Sequence, residues 1–122
     1  MKYRNSMLED ELREDLEGCK IDLSNYHGDT KMLEVLLENV KDFRFGYLLS
    51  YMPEQGEDLF SILTDKKMVI KIEISRVYPD EKPIISTKTF EEYKKGTRGR
   101  RETLRLQILE EMFERDLKDL EK

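Results

Sequence analysis

One cysteine and one histidine, Cys19 and His27, are all this chain offers toward thiol or imidazole chemistry. Brought together, they would make a thiolate nucleophile with its base. Nothing flanking either residue supports that pairing, and a lone cysteine commonly serves as a small buried hydrophobe. Cys19 is therefore expected to be structural or incidental, and no catalytic residue is assigned. A single thiol also excludes an intrachain disulfide and a thiolate zinc cluster. One imidazole among carboxylates is a weak ligand set, so neither a metal nor a cofactor is expected.

The other residues with chemical reach are charged. Asp and Glu number 27, and spacing alone selects no converging pair for acid–base work. No phosphate-binding loop, dinucleotide fingerprint or nucleophile elbow occurs in the sequence. One stretch is locally basic: Lys94-Lys95-Gly96-Thr97-Arg98-Gly99-Arg100-Arg101, with Arg105 a turn later. Glycines and arginines ahead of a helix could cradle a phosphate on backbone N–H groups, which gives an RNA- or phosphate-binding reading to Arg98, Arg100, Arg101 and Arg105. The plainer reading is an interhelix loop whose arginines pair with nearby glutamates.

Charge distribution favours a different partner. Residues 1–65 hold seven Lys/Arg against fifteen Asp/Glu, a net of −8, whereas residues 66–122 hold fifteen against twelve, a net of +3. An acidic half attracts basic surfaces and disfavours nucleic acid. The expected function is that of a small acidic partner-binding protein without catalysis. An immunity or antitoxin-type inhibitor that occludes a basic protein, such as a nuclease toxin, fits that description. Glu11, Glu14 and Asp15 are the expected acidic contacts, with Leu48, Leu63 and Val69 as the apolar centre of the interface. With no signal peptide and no apolar run long enough to span a bilayer, a bacterial cytoplasmic location is expected.

The elements that must position these residues follow from periodicity. A length of 122 residues suits a single α+β domain over residues 1–122. Ser6-Met-Leu-Glu9 has capping-box spacing, Leu8, Leu12 and Leu16 form one narrow stripe, and Gly18 ends the helix. Cys19, Ile21 and Leu23 alternate with polar residues, as a short edge strand or extended connection does, and Ser24 to Asp29 is turn-rich. Asp29 or Thr30 caps a second helix ending near Lys41, with Met32, Leu33, Leu36, Leu37 and Val40 on its apolar face. Thr89 to Gly96 predicts a helix of barely two turns. Arg100 to Leu120 predicts a long one, with Leu104, Ile108 and Met112 beside Leu106, Leu109, Phe113, Leu117 and Leu120.

Between the helices lies an antiparallel meander, expected to be three-stranded, with Ile84 and Ile85 as a fourth short strand, packed against the N-terminal and C-terminal helices. A four-residue turn at Pro53–Gly56 would set Leu49 opposite Phe60. Phe45, Tyr47, Leu49 and Tyr51 would then share a face with Phe60 and Ile62. An odd loop at Asp65–Lys67 would add Met68, Ile70, Ile72 and Ile74 to that face, because a one-residue slip reverses every side chain. The opposite face, with Leu48, Leu63 and Val69 among serines, Lys71 and Glu73, should be mixed.

Overall fold

A computed structural model describes residues 6–23, 26, 28–78 and 80–120. His27, Ser24 and Asn25 of the expected loop, and Pro79 lie outside the described residues. The elements run α1 (Ser6–Gly18), β1 (Lys20–Asp22), α2 (Thr30–Asn39), β2 (Phe45–Glu54), β3 (Glu57–Thr64), β4 (Met68–Ser75), β5 (Ile84–Thr89), α3 (Phe90–Lys95) and α4 (Arg100–Leu120). The class is α+β. The antiparallel sheet has five strands, in the order β1-β2-β3-β4-β5, rather than three or four. The additions are Lys20–Asp22, which pairs with Phe45–Tyr47 at one edge, and a full six-residue β5 at the other.

The chain divides into two compact units, residues 20–90 and residues 1–19 with 91–122. In the sheet unit, Asp29 takes an extended conformation and its carboxylate accepts the Met32 N–H at 2.9 Å, capping α2. Met32, Val35 and Leu36 of α2 are buried with Ile21, Phe43, Phe60, Ile62, Ile70, Ile72 and Ile74 in one core on one face of the sheet. Leu37, expected on that apolar face, is 42 % exposed instead, and α2 ends at Asn39 with Val40 as its C-cap.

Register decides which residues share a face. The β3–β4 connection is the odd loop, since Leu63 pairs with Val69, Ile62 with Ile70 and Phe60 with Ile72. Lys67 takes the left-handed conformation there, at φ 62°, and buried Thr64 bonds the Met68 carbonyl and the Lys66 N–H across the turn. The β2–β3 turn is tighter than expected. Glu54 pairs with Glu57, so Gln55-Gly56 alone make the connection, with Gly56 at φ 73°. Pro53 is inside the strand. Because β1 pairs only with Phe45–Tyr47, this end of β2 has a single strand neighbour, and a missing N–H is tolerated.

A β-bulge between Leu48 and Ser50 then corrects the expected faces. Tyr51, rather than Leu49, pairs with Phe60, and the rings stack at 5.1 Å. Beyond the bulge the parity reverses, so Leu48 pairs with Ile62 and joins the α2 face, while Tyr47 pairs with Leu63 on the other. Phe45 and Tyr47 are therefore not on the Phe60–Ile62 face.

In the helical unit, α1 packs on α4. Leu12 and Leu16 are buried, as are Leu106, Ile108, Leu109, Met112 and Phe113. Arg13 reaches Glu111 at 3.4 Å, and Lys94 of α3 reaches Glu110 at 3.1 Å and Glu91 at 3.0 Å.

Candidate functional site

The narrow leucine stripe of α1 leaves most of that helix to carboxylates, six of them against one arginine over Ser6–Gly18. Glu11, Glu14 and Asp15 are all exposed, and they line a shallow groove with Gly18 and Cys19. Their electrostatic states differ. Asp15 lies 3.6 Å from the Arg105 guanidinium, whereas Glu11 and Glu14 form no ion pair among the described residues.

That ion pair also divides the basic segment. Arg98, Arg100 and Arg101 are exposed around the start of α4, but the Arg105 side chain is only 11 % exposed. Its guanidinium is shared among Asp15, Glu102 at 4.0 Å and the Cys19 sulfur at 3.8 Å. The structure therefore separates the four arginines that the sequence set together. Gly99, at φ 92°, precedes α4, and its carbonyl accepts both the N–H and the hydroxyl of Thr103.

Cys19 is half-buried. Burial pushes its thiol pKa up, and this outweighs the nearby Arg105 charge that would favour the thiolate. At neutral pH its alkylation by iodoacetamide should be several-fold slower than that of a cysteine in a short peptide, and the pH–rate profile should be displaced upward. Cys19→Ser should leave the circular dichroism spectrum unchanged. A rate matching or exceeding the peptide's would restore the nucleophile reading. Among the described residues, no group of three or more His, Cys, Asp or Glu is placed to hold a metal ion. No helix among them is long and apolar enough to cross a membrane.

The expected apolar centre is placed differently. Leu63 and Val69 are 0 % and 2 % exposed, and Leu48, half-buried, lies on the α2 face. The face opposite α2 is nevertheless mixed, and its ladder reads as rows across the strands. Tyr47, Leu63 and Val69 form a buried row ending in exposed Lys88. Ser50, Ser61, Lys71 and Ser86 form the next, and Met52, Leu59, Glu73 and Ile84 the one after that. In this outer row Met52 is 53 % exposed, Ile84 54 %, and Leu59 and Glu73 are half-buried. Beyond it come Glu54, Glu57 and Ser75. Sequence reasoning did not single out Met52 and Ile84, because a four-residue turn at Pro53 and a two-residue fourth strand left both at strand ends with no row to share. The available signal was their in-step alternation with Ser50 and Ser86.

The turn beside this row is firmly held. The Arg76 N–H donates to the Gly56 carbonyl at 2.7 Å, and the guanidinium donates to the carbonyls of Glu54 and Glu57. It also lies 3.4 Å from Asp58, whose carboxylate accepts the Tyr51 hydroxyl at 2.9 Å. Arg76 is thus spent on the fold, and the Glu54 and Glu57 side chains form no ion pair among the described residues.

No protein-family model matches this chain, and comparison with curated proteins and with solved structures finds no similar protein.

Proposed function

We propose that this chain is a non-catalytic, acidic partner-binding protein that occludes a basic protein, in the manner of an immunity or antitoxin-type inhibitor of a nuclease toxin, and that it works in the cytoplasm. One observation carries the reading: Glu11 and Glu14 stand exposed on α1 with no ion pair among the described residues. Exposed carboxylates without a counter-charge steer a basic surface toward themselves and neutralise it on docking. The phosphate-binding alternative draws less support, because Arg105 already has Asp15 and Glu102 as partners.

The test separates steering from folding. Glu11→Lys with Glu14→Lys should slow association with a captured and purified basic partner by about tenfold at low ionic strength. The melting temperature should stay nearly constant, since surface substitutions away from special contacts cost within about 0.5 kcal/mol. Raising salt should slow the unaltered protein and narrow the difference. Asp15 is left in place because a lysine there would face Arg105. Unchanged association in the double variant, or loss of binding in Arg98→Ala with Arg100→Ala and Arg101→Ala alone, would overturn the proposal.

A further inference from the structure

We infer that the row Met52–Leu59–Glu73–Ile84 is a docking site for a basic amphipathic helix of a partner protein, an inference that rests on the partner-binding reading and adds a second contact surface to it. The site lies wholly within the sheet unit and is defined by ladder register. Met52 and Ile84 are each more than half exposed, and half-buried Leu59 lies between them. Exposed apolar residues set in one row and flanked by charge have the apolar-centre, polar-rim layout of an interaction surface.

The charges select the occupant. Glu73 within the row and Glu54 and Glu57 in the row beyond flank the apolar residues, and the adjacent row on the other side contributes one cation, Lys71. A second copy of the chain docked through this row would set one predominantly acidic surface against another, a repulsive arrangement. A partner carrying Arg or Lys beside leucine-like residues satisfies both parts of the surface.

Strand spacing selects the shape. Neighbouring strands lie about 4.8 Å apart, and a helix rises about 1.5 Å per residue, so successive members of the row match roughly every third helical residue. A helix laid across the strands would present an apolar residue to Met52, another about three residues on to Leu59, a basic one to Glu73, and an apolar one to Ile84. The Gly56 turn, pinned by Arg76, holds the glutamate end of the surface in place before binding.

The experiment is a nitrogen-15 NMR titration of the full chain with a synthetic helix-forming peptide that has leucines on one face and arginines beside them. A scrambled isomer of identical composition is the control. The expected result is saturating shifts at the amides of Met52, Glu54, Leu59, Glu73 and Ile84, with the isomer binding at least about tenfold more weakly. Met52→Ser with Ile84→Ser should weaken the amphipathic peptide by about tenfold. Both residues are exposed, so the amide spectrum should stay dispersed. Equal binding of the two peptides would mean that charge alone is read, and this overturns the inference. So does an unaffected double-serine variant, or a peptide that shifts only α1, although shifts on α1 leave the proposed function standing. Conversely, if Glu11→Lys with Glu14→Lys leaves partner association unchanged while this titration saturates, the α1 reading fails and the sheet site stands.

Discussion

Ile72→Asp should remove most of the stability of the sheet unit, and Lys71→Asp, its neighbour in sequence, almost none. Ile72 is fully buried, pairs with Phe60 on one side and Ile85 on the other, and belongs to the core beneath α2. An aspartate there loses the apolar contacts and buries a carboxylate, with an expected cost of about 4 kcal/mol or more. Domains of this size have only about 5–15 kcal/mol in total. Lys71 is half-buried on the opposite face between Ser61 and Ser86, so its replacement should cost less than about 1 kcal/mol. Urea denaturation of both variants makes the comparison, and equal midpoints would show the register to be wrong. The pH dependence has a definite sign. Burial raises the folded-state pKa of the new carboxyl above its unfolded value, so the folded state binds the proton more tightly. The penalty should shrink as pH falls toward about 4 and be largest near neutrality.

Gly46→Ala is the second large effect, and it acts through backbone rather than burial. A Cβ on Gly46 would sit 2.6 Å from the Leu63 carbonyl oxygen and 3.0 Å from the Phe43 ring. The carbonyl belongs to the neighbouring strand and cannot rotate away. The strands must separate in the regular ladder just ahead of the bulge, at an expected cost of about 2–3 kcal/mol. A fall of roughly 10 °C in melting temperature should follow. Gly18→Ala is the control, since nothing lies within 4 Å of its notional Cβ. At the end of a helix it should be neutral or stabilising by about 0.5 kcal/mol. Similar losses in both variants would mean that the strands at Gly46 are not as close as described.

The parts of the fold that the sequence made legible are those where periodicity and turn chemistry agree. The alternation of Met68 to Ser75 could meet Phe60 and Ile62 only through an odd loop, and the loop is odd. The start and end of α1, and those of α4, coincide with their expected positions. The bulge at Leu49 was illegible for a physical reason. Gly46-Tyr-Leu-Leu49 is apolar or small throughout, and an inserted residue leaves no break in a pattern that has no alternation. Pro53 misled in the other direction, because its meaning depends on how far β1 extends beside it. For the candidate site, the sequence located the acidic face of α1 and the mixed character of the sheet face. It could not say that Arg105 turns toward Asp15, nor that Leu63 and Val69 are buried while Met52 and Ile84 are open. Those distinctions are tertiary: they depend on which element lies over which residue, and spacing along the chain carries no record of that.

The order of the strands has a kinetic consequence. Every strand of the sheet pairs with its neighbour in the chain, and two of the turns, Gln55-Gly56 and Asp65–Lys67, are only two and three residues long. Ladders closed by short loops lose little chain entropy before their contacts begin to form. The β2–β3–β4 hairpins can therefore zip from their turns, with the widest closure, across α2, completing the β1 edge. Such local connectivity places the sheet unit toward the fast end of the range for proteins with β-structure, where folding rate follows the mean sequence separation of contacts.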